Sequence, residues 1–174
     1  MSKKHPIISV TGSSGAGTTT VKTTFDQIFR REGFKSVSIE GDAFHRFDRA
    51  AMKDELTKRK AAGDQTFSHF SYEANELGKL EEVFRTYAET GCGETRHYVH
   101  DDAEAAKYGS APGTFTDWAP FAEGSDVLFY EGLHGAVKNS EVNLSTLADL
   151  KIGVVPVINL EWIQKIHRDK AQRG

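Results

Sequence analysis

The chain has 174 residues, of which 38% are hydrophobic and 27% charged, with a formal net charge of -3. That length supports one domain with a real core, and a balance of 22 basic against 25 acidic residues carries no general footprint for nucleic acid. No apolar run reaches the roughly 18 residues that a membrane span needs.

The opening segment, Met1-Ser2-Lys3-Lys4-His5-Pro6, passes into a short apolar stretch and then glycines. A signal peptide needs a longer apolar region and a cleavage site, so a cytoplasmic protein is expected. Cys92 is the only cysteine. It excludes an internal disulfide and a two-cysteine redox switch, and reads as an ordinary loop or helix-end residue.

In chain order, Ile7-Ile8-Ser9-Val10 is a short apolar run before Gly12 and predicts a buried strand. Thr19 to Arg31 carries Val21, Phe25, Ile28 and Phe29 at helical spacing, with Gly33 as its stop. Ser36 to Ile39 alternates as a second strand. Ala50 to Ala62 reads as a charged helix ending at Gly63. Tyr72 to Glu89 reads as a helix with Leu77, Leu80, Val83, Phe84 and Tyr87 on one side. Residues 91–125 are the least regular; Thr95 to His100 is a candidate strand, and Tyr108 to Gly124 a loop. Val127 to Tyr130 is a buried strand. Ile152 to Ile158 is another, in which Pro156 suits an edge or an end. Leu160 to Arg173 predicts a closing helix. Strands alternating with helices imply a largely parallel sheet covered on both faces, in one domain over residues 1–174.

The strongest local signal is Gly12-Ser13-Ser14-Gly15-Ala16-Gly17-Thr18-Thr19-Thr20, between a strand and a helix. Glycines let backbone N–H groups converge on an anion, and the helix N-terminus adds its dipole. Thr19 is placed to ligand Mg²⁺. The lysine that such a phosphate loop carries is replaced by Thr18, so another cation has to supply its charge or phosphoryl transfer is impaired.

Two carboxylates follow strands. Asp42, in Glu40-Gly41-Asp42-Ala43-Phe44-His45-Arg46, reads either as a helix N-cap or as the base that accepts a hydroxyl proton. A nearby phosphate loop favours the base. Glu131 ends the apolar run Val127 to Tyr130, the form of a strand-end acid that reaches Mg²⁺ directly or through water. His134 follows closely. His45 and Arg49, four apart, are expected to share a helix face as a patch for a sugar phosphate. Lys165, Arg168 and Asp169 share another face. They read as a solvated face with an internal ion pair, or Lys165 and Arg168 supply the cations that replace the loop lysine. His97 and His100 fit no zinc-binding spacing.

With these segments in hand, the chain resembles the bacterial type of phosphoribulokinase, from Ile7 to Gly174. The resemblance rests on Gly12 to Thr20, Glu40 to Arg46, Tyr98-Val99-His100-Asp101-Asp102-Ala103-Glu104, Phe129-Tyr130-Glu131-Gly132-Leu133-His134-Gly135, and Lys165-Ile166-His167-Arg168-Asp169 with Arg173-Gly174. It implies a phosphate-loop NTPase-like, three-layer α/β/α fold with a mainly parallel, mixed sheet. It also implies ATP-dependent, Mg²⁺-assisted phosphorylation of ribulose 5-phosphate in the Calvin cycle. Asp42 would be the base, Glu131 would serve Mg²⁺, and Lys165 would stabilise the transferring phosphoryl group. Thr18 is shared by the bacterial type. His45, Arg49, Tyr98, His100, His134, Arg168 and Asp169 would shape the substrate environment. Arg31 would contact an effector, with NADH as activator, and the complete protein would be a homo-oligomer. The signature expects a Ser or Thr and then a Glu after Gly174, so the domain is expected to be incomplete at its C-terminal end. A related kinase, uridine- or pantothenate-kinase-like, would usually keep the loop lysine. An inactive nucleotide-binding fragment is the reading from another class.

Overall fold

A computed structural model describes residues 4–13 and 15–172. The elements run β1 (Ile7–Gly12), α1 (Thr18–Glu32), β2 (Ser36–Glu40), α2 (Arg49–Ala61), α3 (Leu77–Thr90), β3 (Glu94–Thr95), α4 (Asp102–Tyr108), β4 (Ala119–Pro120), β5 (Val127–Gly132), β6 (Leu150–Val154) and α5 (Ile158–Gln172). Short 3₁₀ turns at Gly41–Phe44 and Tyr72–Ala74 precede α2 and α3.

The main sheet has the order β2-β5-β1-β6, and all its pairings are parallel. Antiparallel pairing among the described residues lies outside this sheet, in the small β3–β4 ribbon and in isolated bridges such as Tyr98–Phe115. Strand alternation explains the layers. Ile7, Ile39, Leu128 and Tyr130 point to one face and pack with Leu80, Val83, Phe84 and Tyr87 of α3. Val10, Val127 and Phe129 point to the other and pack with Val21, Phe25 and Phe29 of α1. A strand buried on both faces has to be apolar at successive positions, which is why Val127 to Tyr130 reads as an unbroken run.

Three predicted boundaries move. The helix expected from Tyr72 begins at Leu77, because Asn75 is held extended (φ -128°). Its amide donates to the carbonyls of His69 and Ser71 at 3.0 and 2.8 Å, which fixes the 3₁₀ turn instead. The strand expected at Ile152 to Ile158 lies at Leu150–Val154 and stops before Pro156, which has no N–H to continue the ladder. The strand expected at Thr95 to His100 reduces to Glu94–Thr95 plus a lone Tyr98–Phe115 bridge. The short helix α4 follows it. Asp101 caps α4 by accepting the Glu104 N–H at 3.0 Å, and Glu104 reaches back to the His100 N–H at 2.7 Å.

Because the main strands are parallel, the segments after β1, β2, β5 and β6 all leave from one edge. Ligands of open parallel sheets bind beyond this carboxyl edge.

Candidate active site

The loop between β1 and α1 is shaped by Gly15 (φ 95°) and Gly17 (φ 96°), both in the left-handed region. Gly17 precedes the first turn of α1, where no side chain caps the helix. Backbone N–H groups there are left for an anion. A cavity of about 330 Å³ adjoins this loop, lined by Thr11, Gly12, Ser13, Leu133, Val154 and Pro156 among others. Gly12 is closely packed: a Cβ on it would lie 2.7 Å from Thr18 Cγ2 and 3.0 Å from the Val154 carbonyl. Ser14 lies outside the described residues. Ala16 and Thr18 are buried, whereas Thr19 and Thr20 are exposed.

Thr18 takes up the place of the missing lysine with a specific contact: its hydroxyl hydrogen-bonds Glu131. Burial pushes the Glu131 carboxyl up; the Thr18 bond opposes this, Glu40 adds to the rise, and Lys22 opposes it. The parallel register sets Glu40 opposite Glu131. Lys22, one turn of α1 beyond Thr18, lies 2.9 Å from Glu40. Its burial works against its charge, but the Glu40 contact outweighs that and raises its pKa. Glu131, Thr18 and the exposed Thr19 offer hard oxygen donors of the kind that Mg²⁺ takes, and a partly desolvated carboxylate gains from such a cation.

Asp42 sits in the 3₁₀ turn after β2. Its carboxylate caps no helix; it accepts from His45 Nε2 at 3.2 Å and from His100 Nε2 at 3.0 Å. The N-cap reading therefore fails. Burial alone would raise the Asp42 carboxyl, but the hydrogen bonds from His100 and His45 outweigh it and hold it well below the usual carboxylate range. His100 is lifted to about 9, first by its bond to Asp42, with burial opposing and Glu104 adding. His45 is also raised: burial disfavours its charge, and Asp42 overcomes this. Its Nδ1 lies 2.8 Å from Asn75 Oδ1, which makes that nitrogen the donor. The result is a carboxylate clasped by two cationic imidazoles, with 53% of the Asp42 side chain still open to solvent.

His45 precedes α2 and Arg49 begins it, so the two do not share a helix face. Arg49 joins the cluster by another route, donating Nη2 to the His100 carbonyl at 2.9 Å. Tyr98 packs edge-on against both rings, 6.3 Å from His45 and 5.0 Å from His100. His134 is buried and 3.1 Å from the Phe70 carbonyl, and burial lowers its pKa. Lys165 is half-buried on α5, the helix that leaves the same sheet edge. Arg168 and Asp169 lie on that helix with their side chains outside what is described, and Arg173 and Gly174 are outside the described residues. Arg31 is in the last turn of α1, away from the loop, paired with Glu32 at 2.8 Å.

Sequence reading missed Lys22, Glu40, Asn75, Arg96 and Glu104. For Glu104 the signal was present, as Asp101-x-x-Glu104 is a helix-start pattern. Arg96 and Asn75 act across long sequence separations, and no local pattern marks them.

Phosphoribulokinase 1 of Cereibacter sphaeroides is 79% identical over all 174 residues, and the phosphoribulokinase of Rhizobium meliloti (strain 1021) is 67% identical over the same span. The chain spans 60% of the length of each. The solved phosphoribulokinase from Rhodobacter spheroides superposes with a TM-score of 0.86 at 73% identity, covering 99% of this chain and 59% of that one. A possible uridine kinase from Bacillus stearothermophilus shares the fold, with a TM-score of 0.62 at 17% identity, covering 99% of this chain and 85% of that one. Residues 7–174 match the Phosphoribulokinase / Uridine kinase family, and the chain belongs to it.

Proposed function

We propose that the protein carrying this chain is an ATP-dependent kinase that converts ribulose 5-phosphate to ribulose 1,5-bisphosphate, a Calvin-cycle step. The observation that carries this reading is the cluster of Asp42, His45, His100 and Arg49 on the same edge of the parallel sheet as the phosphate loop. It combines an acceptor for a hydroxyl proton with cations suited to a sugar phosphate.

In this reading the loop from Gly12 to Thr20 cradles the ATP phosphates. Thr19 and Glu131 would hold Mg²⁺, which would neutralise charge on the phosphates. The sugar hydroxyl enters beside Asp42. Its oxygen bonds to the γ-phosphorus as the bond from phosphorus to the ADP oxygen breaks, and its proton passes to Asp42. A carboxylate held below its usual range is a weak base, which suits phosphoryl transfer: the transition state is loose, and the hydroxyl needs orientation more than early deprotonation. The imidazoles of His45 and His100, with Arg49 and Tyr98, face the substrate's phosphate and hydroxyls. His134 supports the cleft wall.

Lys165 stabilises the transferring phosphoryl group in place of a loop lysine, with Arg168 and Asp169 shaping the charge around it. Its helix starts four residues after Val154, the register partner of Gly12, which supports that placement. The reading further includes one kinase domain over residues 1–174, a cytoplasmic homo-oligomer, and NADH activation through Arg31. No helix among the described residues is long and apolar enough to cross a membrane.

The test is ADP release with Mg-ATP, with and without ribulose 5-phosphate, alongside uridine and pantothenate. Release dependent on ribulose 5-phosphate supports the reading. Release with another acceptor, or ATP binding without any transfer, overturns it.

A further inference from the structure

The segment between β3 and β4 holds an arginine that the proposed chemistry does not use. Arg96 donates Nε to the Ala43 carbonyl at 2.8 Å and Nη2 to the His45 carbonyl at 2.7 Å. Those two carbonyls flank Phe44 at the end of the turn Gly41–Phe44, directly after Asp42, and the second belongs to His45 itself. The guanidinium lies over the Phe115 ring at 3.7 Å and near the Trp118 ring at 4.8 Å. Trp118 in turn packs against Phe44, the residue between the two carbonyls.

Each contact removes one freedom of that turn. A fork of two parallel N–H groups fixes both the position and the tilt of a pair of carbonyls, which a single ammonium cannot do. Aromatic faces fix the fork itself, since a planar cation stacked on rings loses little more entropy on bonding. Burial works against the Arg96 charge, and nearby Glu76 opposes that only in part. The site thus tolerates a poorly solvated cation whose two strong acceptors are neutral backbone atoms.

We infer that Arg96 is a positioning residue: it clamps the backbone of residues 43–45, and through it sets Asp42 and His45 against the sugar phosphate. This deepens the kinase reading and rests on it. It also gives the irregular segment before β4 a task, since Arg96 and Phe115 lie at its two ends with Tyr98 bridged to Phe115.

The experiment uses the complete protein that carries this sequence, assayed with Mg-ATP and ribulose 5-phosphate. Arg96→Lys keeps the charge and loses the fork. It is expected to lower kcat roughly 10²-fold, the scale of a misplacement of about 1 Å, while KM for ATP stays within about twofold. In an Asp42→Asn background the same change should cost less than about threefold, because the two residues act as a unit. Equal losses in both backgrounds, or a loss confined to KM for ATP, overturn the proposal. Arg96→Met is the second variant, and a failure of that variant to fold leaves Arg96→Lys to decide. If the unsubstituted polypeptide shows no turnover, the kinase reading falls instead. The clamp is then read by NMR titration of His100, which should drop from about 9 toward its ordinary value in Arg96→Lys. An unmoved His100 overturns the clamp on its own.

Discussion

Gly41 and Gly132 pass so closely that a Cβ on Gly132 would lie 2.7 Å from the Gly41 Cα and 2.6 Å from the Tyr130 hydroxyl. Each glycine touches a carboxylate of the site: Gly41 stands between Glu40 and Asp42, and Gly132 follows Glu131. Gly132→Ala therefore forces two strand ends apart at the point where their acids meet. The expected cost is about 1–3 kcal/mol of stability, as for other overpacked sites, with turnover reduced further. Chemical denaturation and steady-state kinetics on one preparation check both. Unchanged kinetics in a destabilised variant would mean that the spacing of the two acids is not critical.

Asp42→Asn keeps the shape of the side chain and removes its capacity to take a proton. Turnover should fall at least the roughly 10²–10⁴-fold expected for a lost general base. ATP binding, measured by calorimetry, should survive, because the loop that would hold ATP does not include residue 42. Near-normal turnover would remove Asp42 from the chemistry.

The Asp42–His100 pair makes a pH prediction. His100 titrates at about 9 when folded, against an ordinary value of 6.5. A raised histidine contributes its full stability below 6.5, and that contribution is lost as the pH rises through about 9. His45 adds an effect of the same sign. Asp42, held low, contributes above the ordinary carboxylate range and loses its part in acid as the pH falls through its lowered value. Denaturant midpoints should therefore decline between pH 6.5 and 9, and decline less in His100→Gln. Parallel slopes for the two proteins would show that the pair does not form in solution.

Thr18→Val removes the hydroxyl that bonds Glu131 and leaves the shape nearly intact. The Glu131 carboxyl then rises further, having lost one of the groups that lower it. The Mg²⁺ concentration needed for half-maximal ATP binding should increase several-fold, by the roughly 1 kcal/mol that one hydrogen bond contributes. Thr18→Ser should behave as the parent. A valine variant with unaltered Mg²⁺ dependence would make the Thr18 contact incidental.

Asp42 and Glu131 were legible because their positions follow from local pattern: an apolar strand, its end, then a carboxylate. The same pattern gave α1, β1, β2 and β5 to within a few residues. Arg96 was not legible, since it meets Ala43 and His45 across 53 and 51 residues of chain. Nor was the start of α3. Tyr72 to Ala74 has helical spacing, but the Asn75 side-chain amide takes the Ser71 carbonyl that a continuous helix would have used, and ties it to the His69 carbonyl before it. In β6 the apolar run continues past the strand end at Val154, and Pro156, with no N–H for the ladder, marks where pairing stops.

The parallel order of the sheet sorts the chain by height. At the far rim, Ile7 N–H is held by Asp149 at 2.9 Å and Lys35 N–H by Asp126 at 2.8 Å, well away from the acids and the glycine loop. A mutational screen that reads turnover and protein abundance separately would thus divide by position. Changes that only remove a functional group at the carboxyl edge, such as Asp42→Asn, would lower turnover more than protein abundance. Changes at the lower rim would deplete the protein from the cell while the surviving molecules worked at full speed.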